Sequence, residues 1–492
     1  MIFSLLMEPW IPLIRTDGST AKGSISDALL EPDQWAGVDC TNPVECLALH
    51  RLLLAICHRA VGPGDTSQRA SLLDAWPKLA ISTYLEKWSN RFNLFDPDRP
   101  FLQTPELADA DLAPRPWMVL APDRASGATP VFWDHSLDAE PEPISAGTAT
   151  LALIAHQQFT PGGLVRALRT SGHRGTACGL LLLMPNGQTL RQTLALALVP
   201  QTNVDHQLDL PAWEQAPPSL DELRNPTAYV PAGPAQRYTH ISRAILFEPG
   251  SAITHLLYGE GLVVEDSPIP DPMAAVITGS KGPRPLTLSE SRGMWRDFHA
   301  LAGAEGSSPP KTIQNAANIC ALRCSFDPIN LLAGGLLTDK AKILLWRLEQ
   351  RQVSPALLAQ GNAVAVAQAA VDRAEKTGQE LNKALWSLCF NWLAHSSAAP
   401  DPDKKAVSSL RESLHAMPEF WGALEPAFWS LIHQLGEGMD QDEALANWSG
   451  TLQATVRAVW KRSCDAMGRD GRALAATVRA GQAFRKVLTA AA

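Results

Sequence analysis

The final quarter of this 492-residue chain consists of helix-forming segments, and this feature limits the fold more than any other. Apolar residues recur at helical spacing within each segment, and the short links between segments contain glycine, proline or serine. The segments cover residues 366–392, 404–435, 441–467 and 470–490. Consecutive amphipathic helices with short links pack side by side, so we predict a C-terminal four-helix bundle over residues 366–492.

The preceding part of the chain mixes helix and strand patterns. Asn42 and Pro43 are typical of a helix start, and the apolar stripe that follows them ends at Gly62. The apolar run from Gly179 to Met184 precedes the turn Pro185-Asn186-Gly187, which predicts a buried strand followed by a turn.

A proline-rich interval separates these elements. Nine prolines lie between Pro97 and Ile144 and prevent long helices, whereas the aromatic residues among them favour ordered loops. We therefore predict an α+β protein, in which a large mixed α/β N-terminal domain with long loops (residues 1–365) precedes the four-helix bundle.

Charge and cysteine content restrict the function classes. The 42 Lys and Arg residues against 50 Asp and Glu residues give a net charge of -8, so any nucleic-acid contact must be local. The eight cysteines lack the spacing of a zinc or redox motif, which predicts free thiols. Glu8 and Pro9 interrupt the first apolar run, and no apolar stretch approaches membrane-helix length. These features predict a cytoplasmic protein with no membrane partner.

Motifs for catalysis are missing from the sequence. It contains no phosphate-binding loop, no dinucleotide-binding glycine fingerprint, no serine-hydrolase elbow and no H-E-x-x-H motif. The pairs Asp134-His135 and Cys320/Cys324 each lack the further ligands that a metal site needs. We predict that the protein is not an enzyme and has neither a cofactor nor a metal site.

Two glycine-containing turns are candidates for ligand contact. In Thr160-Pro161-Gly162-Gly163 the backbone can approach a phosphate or another chain closely, and an ordinary turn is the alternative. The turn from Gly279 to Arg284 carries Lys281, which can enter a DNA groove or lie at a solvent-exposed hairpin tip.

A third glycine-containing segment begins at Gly334-Gly335. It continues to Asp339, Lys340 and Ala341, and an apolar run over residues 343–350 then predicts a helix that Thr338 or Asp339 would cap.

Positive charge is concentrated at the C-terminal end. From Arg457 to Ala492 eight basic residues stand against Asp465 and Asp470, a local balance of +6. This asymmetry favours a stripe that faces phosphates, and a solvated basic face beside an acidic neighbour is the alternative. The residues assigned to this basic face are Arg457, Lys461, Arg462, Arg469 and Arg472.

Several short motifs follow one another in a recognisable order. They are Trp10-Ile11-Pro12, Pro100-Phe101-Leu102-Gln103-Thr104, Phe132-Trp133-Asp134, Pro161-Gly162-Gly163 and Ala333-Gly334-Gly335. With the helical C-terminus, this order resembles that of the CasA family, the large subunit of the type I-E CRISPR RNA-guided surveillance complex, Cascade.

The resemblance implies a non-catalytic subunit of an antiviral ribonucleoprotein. In such a complex the guide RNA reads the target by base pairing, and protein reads the short protospacer-adjacent motif in duplex DNA. It also implies that the subunit starts duplex unwinding and helps to recruit a helicase-nuclease.

Residues can be assigned from this resemblance. It implies that Pro161, Gly162 and Gly163 form a glycine loop that binds DNA. Lys281 would be the lysine that enters the minor groove. Asp339, Lys340 and Ala341 would form the wedge that separates the first base pairs.

The resemblance also implies contacts within the complex. Phe132, Trp133 and Asp134 would dock the subunit near the 5′ handle of the guide RNA and the CasD subunit that holds it. The bundle would contact the CasB small subunits, and its basic face would hold the displaced DNA strand. The alternative function is a structural helical adaptor of another multiprotein assembly, without DNA readout.

Overall fold

The computed structural model contains two compact units. The first consists of residues 1–292 and 306–352, and the second of residues 293–305 and 353–492. The structure describes residues 2–39, 41–126, 131, 134–170, 172–202, 204–250, 252–265, 270–325, 327–359, 361–394 and 401–492.

Most helices before residue 353 are short. They are α1 (Ile25–Leu30), α2 (Pro43–Val61), α3 (Thr66–Ser71), α4 (Lys78–Lys87), α5 (Ala146–Phe159), α6 (Leu190–Ala197), α7 (Leu220–Arg224), α8 (Pro234–Tyr238), α9 (Phe298–Leu301, in the second unit) and α10 (Lys311–Leu322). The predicted helix start is confirmed, because the Asn42 side chain accepts hydrogen bonds from the backbone N–H groups of Val44 and Glu45. Apart from Glu45, every residue of α2 from Val44 to His58 is buried, so α2 lies within the core of the first unit.

Short strands provide the rest of the regular structure. They are β1 (Ile11–Arg15), β2 (Thr20–Gly23), β3 (Trp35–Val38), β4 (Arg115–Pro116), β5 (Leu182–Asn186), β6 (Arg243–Phe247), β7 (His255–Glu260), β8 (Val276–Gly279), β9 (Gly282–Pro285), β10 (Ser307–Ser308), β11 (Ile329–Asp339) and β12 (Lys342–Val353). The described strands form three-stranded sheets with the orders β2-β1-β3, β10-β8-β9, β12-β11-β5 and β4-β7-β6.

The buried strand predicted after Gly179 is confirmed as β5, but the predicted turn is wrong at Pro185 and Asn186, which pair with β11 as part of the strand. Two hairpins are attached to this segment. The β11–β12 hairpin is attached through the antiparallel pairing of β11 with β5, which aligns Gly334 with Leu182. The base of the β8–β9 hairpin is attached through the bridges Leu180↔Thr287 and Leu182↔Ala274. One buried segment therefore supports both hairpins.

The second unit is helical. Its further helices are α11 (Pro355–Ala359), α12 (Gly361–Leu393), α13 (Lys404–Ser413), α14 (Ala416–Gly436), α15 (Gln441–Ala466) and α16 (Gly471–Ala491). The long helix α12 packs against α14, α15 and α16, and α14 also packs against α15. The predicted fold class, a mixed α/β region followed by C-terminal helices, is confirmed.

The predicted single helix over residues 404–435 is wrong in one respect, because it is broken between α13 and α14. His415 adopts a left-handed conformation with φ of 49° at the break. Pro418 explains the break: it has no N–H to donate to the carbonyl of Leu414, and its ring would collide with that carbonyl in a continuous helix.

Among the described residues, cysteine chemistry differs from the prediction at Cys46. Cys57, Cys178, Cys320 and Cys389 are buried free thiols, as predicted, whereas Cys46 is disulfide-bonded. A disulfide depends on the approach of two sulfur atoms in space, which the spacing of a sequence motif does not report.

Within the described residues, no helix combines the length and the apolar character that crossing a membrane requires.

Candidate nucleic-acid interface

The segment predicted to act as a wedge is the tip of the β11–β12 hairpin. Asp339 ends β11, Lys340 and Ala341 form the two-residue turn, and Lys342 begins β12. All four residues are exposed. The predicted helix over residues 343–350 is wrong, because this segment belongs to β12 and pairs with β11.

The geometry of this turn explains the error. Lys340 has a φ of 55°, a left-handed conformation that usually requires glycine or asparagine. A sequence with lysine at this position gives no hairpin signal, and the helical spacing of the apolar residues after it predicts a helix instead. The strained turn projects the Lys340 cation at the end of a long hairpin.

The predicted turn Pro161-Gly162-Gly163 belongs to a longer loop, residues 160–175, which is called the glycine loop from here on. This loop lies against the hairpin tip. A Cβ atom added to Gly163 would lie 2.9 Å from the Cβ of Ala341. The structure thus brings together two of the predicted DNA-binding segments, which are separated by more than 170 residues in the sequence. A cavity of about 430 Å³ is lined by both Gly163 and Ala341.

Close backbone contacts shape the glycine loop from within. A Cβ atom on Gly172 would lie 1.6 Å from the carbonyl oxygen of Gly163, and one on Gly175 would lie 2.3 Å from the carbonyl oxygen of Gln158. Gly175 donates its N–H to the carbonyl of Thr160 at 2.8 Å. The glycines therefore let the two ends of the loop pack backbone to backbone.

A buried network lines the same cavity. The Tyr258 hydroxyl lies 2.9 Å from Nε2 of His156 and 3.1 Å from Nε of Arg243. Burial, together with the nearby Arg243 charge, lowers the pKa of His156 to about 3, so its ring is neutral at pH 7. Because the carbonyl of Leu120 only accepts hydrogen bonds, Nδ1 of His156 carries the proton and Nε2 accepts from Tyr258.

Sequence reasoning missed several of these residues. Gly172 and Gly175 were visible only as a break in the helical pattern. Arg243 gave no signal, because it is a single basic residue in an apolar strand and its partners are about 70 to 80 positions away.

Lys281 lies at the tip of the β8–β9 hairpin. Gly279 pairs with Gly282, so Ser280 and Lys281 form the turn, and Lys281 is exposed. Gly282 has a φ of 100°, which favours glycine. Lys281 therefore lies at an exposed hairpin tip, and its entry into a DNA groove stays a prediction.

The predicted docking segment is only partly described. Phe132 and Trp133 lie outside the described residues. Asp134 accepts hydrogen bonds from the backbone N–H of Ala125 at 2.5 Å and from the Ser136 hydroxyl at 2.8 Å. These hydrogen bonds, with the Arg124 charge 3.4 Å away, lower the pKa of Asp134. Asp134 is thus fixed to Ala125 and Ser136 by hydrogen bonds.

The basic face of the bundle contains residues in different environments. Arg457, Lys461 and Arg469 are exposed. Arg462 pairs with Glu419, and Lys461 lies 3.2 Å from Asp465.

Arg472 differs from the other residues of the basic face. It donates to the carbonyl of Trp392 at 2.5 Å, and its guanidinium lies 4.1 Å from the centre of the Trp392 ring. Arg472 therefore stabilises the end of α12.

Metal ligands are not assembled in the part of the chain that the structure describes. No group of three or more His, Cys, Asp or Glu side chains within it is arranged to hold a metal ion.

Comparison with known proteins identifies the family. Residues 4–459 match the family described as CRISPR-associated protein Cse1. The chain is 31% identical to the CRISPR-associated protein CasA/Cse1 of Thermus thermophilus, over 99% of this chain and 97% of that protein.

Solved structures agree with this result. The crystal structure of Thermus thermophilus CasA has a TM-score of 0.87 at 29% identity and covers 99% of this chain and 100% of that chain. The crystal structure of Cse1 from Acidimicrobium ferrooxidans has the same fold, with a TM-score of 0.80 at 22% identity, over 100% of this chain and 98% of that chain. The resemblance to the CasA family is thus confirmed, and the chain belongs to the CRISPR-associated CasA/Cse1 family.

Proposed function

We propose that this chain is the non-catalytic DNA-sensing subunit of a cytoplasmic CRISPR RNA-guided surveillance complex. It recognises the protospacer-adjacent motif in double-stranded target DNA, starts to separate the strands beside it, and helps to recruit the helicase-nuclease. The observation that carries the proposal is the contact of the glycine loop with the hairpin tip at Gly163 and Ala341, beside the exposed cation of Lys340.

Membership of an assembly is supported by a related fold. A chain in a structure described as a CRISPR RNA-guided surveillance complex has a TM-score of 0.75 with this chain at 22% identity. The partners that we propose, from the resemblance to the CasA family, are a CRISPR guide RNA, the CasB small subunits and the CasD subunit that holds the RNA handle. Phe132, Trp133 and Asp134 are the proposed docking residues.

The proposal divides the work between the two parts of the chain. The N-terminal domain, residues 1–365, carries motif recognition and docking. Residues 366–492 hold the displaced strand on the basic face formed by Arg457, Lys461, Arg462, Arg469 and Arg472. Arg457 and Arg469 are the exposed cations best suited to phosphate contact, because Lys461 and Arg462 lie beside Asp465 and Glu419.

The hairpin tip is suited to a role as a wedge. It is a narrow, exposed turn at the end of strands of 11 and 12 residues, and a buried strand holds its base. Opening DNA costs about 1.4 kcal/mol per base-pair step, and the guide heteroduplex returns a similar amount as it forms. The wedge therefore needs to open only the first steps.

The experiment compares closed and pre-opened targets. The assembled complex is measured with the wild-type chain and with Lys340→Ala combined with Asp339→Ala, on a closed duplex and on a duplex mismatched at the first two target positions. We expect the variant to bind the closed duplex on the order of tenfold more weakly, and the pre-opened duplex as well as wild type does. Equal loss on both targets would contradict the strand-opening role.

A further inference from the structure

We infer that Arg243 and Glu260 act as positioning residues that fix the glycine loop in its DNA-reading shape before DNA binds. This inference rests on the proposed function, because it names the residues that prepare its recognition loop. The two residues lie directly opposite each other in the antiparallel pair β6 and β7. Both are buried, with exposures of 2% and 1%.

Arg243 holds the two ends of the loop. One Nη atom donates to the carbonyl of Pro161 at 2.9 Å, and the other donates to the carbonyl of His173 at 2.7 Å. A planar guanidinium can donate to two separate acceptors from fixed positions, which a lysine ammonium cannot reproduce. Arg243 therefore sets the distance between the residues that flank the Gly163–Gly172 contact.

Glu260 holds the middle of the loop. Its carboxylate accepts the backbone N–H groups of Ala167 at 3.3 Å, Leu168 at 2.8 Å and Arg169 at 3.4 Å. Hydrogen bonds to a buried charged group are among the stronger ones in proteins. The cation thus binds carbonyls at the two ends of the loop, while the anion opposite it binds amides at the centre.

This arrangement has a functional consequence. Residues 161–170 form no helix or strand, so nothing in their own secondary structure orders them. A recognition loop that is already ordered avoids the entropic cost of becoming ordered on binding. Loss of the Arg243 or Glu260 contacts should therefore weaken motif recognition while the fold remains.

The test uses conservative variants. Arg243→Lys and Glu260→Gln are compared with wild type and with Arg59→Lys, a matched control in the same unit. Like Arg243, Arg59 donates to a backbone carbonyl, that of His206; it also donates to the Glu214 carboxylate and does not contact the glycine loop. Thermal unfolding establishes that each full-length variant is folded.

Two measurements are made on the folded variants. In hydrogen exchange of the full-length chain, we expect the amides of residues 167–169 and 175 to exchange on the order of tenfold faster in both loop variants, and at the wild-type rate in Arg59→Lys. In the assembled complex, we expect the ratio of affinities for motif-bearing and motif-free duplexes to fall on the order of tenfold, while binding to motif-free duplex stays constant.

The outcomes separate this inference from the proposed function. Unchanged exchange in both Arg243→Lys and Glu260→Gln would overturn the inference, whatever DNA binding shows. A complex with Gly163→Val that keeps full motif discrimination would overturn the proposed recognition loop itself. If Gly163→Val abolishes discrimination and both conservative variants retain it, the inference alone is wrong.

Discussion

Gly172→Ala is the substitution for which the structure gives the sharpest expectation. The new Cβ atom would lie 1.6 Å from the carbonyl oxygen of Gly163, whereas real Cβ atoms essentially never come closer than 3.0 Å to another heavy atom. The two ends of the glycine loop must therefore separate by about 1.4 Å, the difference between these distances. Because Arg243 binds a carbonyl on each end, at least one of its hydrogen bonds is lost.

The size of this effect follows from the bond that breaks. A hydrogen bond to a charged group contributes about 1.5–3 kcal/mol, so loop opening should become about 10- to 150-fold more frequent. Gly162→Ala is the matched control, because its Cβ would lie 3.5 Å from its nearest neighbour, an ordinary contact. Hydrogen exchange of the full-length chain measures both variants at the Gly175 amide. Equal exchange in the two variants would refute the argument from backbone contact.

Two further predictions concern stability. His240 is buried and its pKa is lowered to about 3. Below about pH 6.5 the ring of His240 is therefore protonated in the unfolded state but stays neutral in the folded state. This difference should lower the free energy of unfolding by about 2 kcal/mol as the pH falls from 7.5 to 5. Urea unfolding of wild type and His240→Gln at both pH values isolates this contribution, because the other titrating groups are common to both, and equal pH dependence would contradict the assignment. Arg472→Ala should destabilise the helical unit by about 2 kcal/mol through loss of its contacts to Trp392, whereas Arg457→Ala should change its stability by less than about 0.5 kcal/mol. Urea unfolding followed by circular dichroism measures both, and equal effects would contradict the structural role of Arg472.

Local signals in the sequence were sufficient to predict much of the fold. Asn42, Pro43 and Gly62 define α2 because capping chemistry acts within a few residues. The bundle was predictable because four segments keep helical spacing over long stretches. The β11–β12 hairpin was missed because a lysine, rather than a glycine or asparagine, occupies the left-handed position of its turn.

The candidate site depended more on resemblance than on local pattern. The contact of Gly163 with Ala341, and those of Arg243 with both ends of the glycine loop, join segments far apart in the sequence. No periodicity or turn signal encodes such a contact. The order of short motifs did identify the segments, and the structure then showed which of them meet.

We propose that this chain reads the protospacer-adjacent motif, and variants of Lys281 and Lys340 test this role. The assembled complex is bound to duplexes that differ only in that motif, with the wild-type chain and with Lys281→Ala combined with Lys340→Ala. Lys22→Ala combined with Lys87→Ala is the control, because it removes the same charge from two other exposed lysines.

We predict that the Lys281/Lys340 variant loses most of its preference for the motif, while the control keeps it. Both lysines should also contribute to the salt dependence of binding. If they contact phosphates, each should account for about one unit of the slope of log binding constant against log salt concentration. Discrimination that survives in the Lys281/Lys340 variant would contradict the assignment of these residues. A wild-type complex that binds all the duplexes equally would contradict the claim itself and favour a structural adaptor.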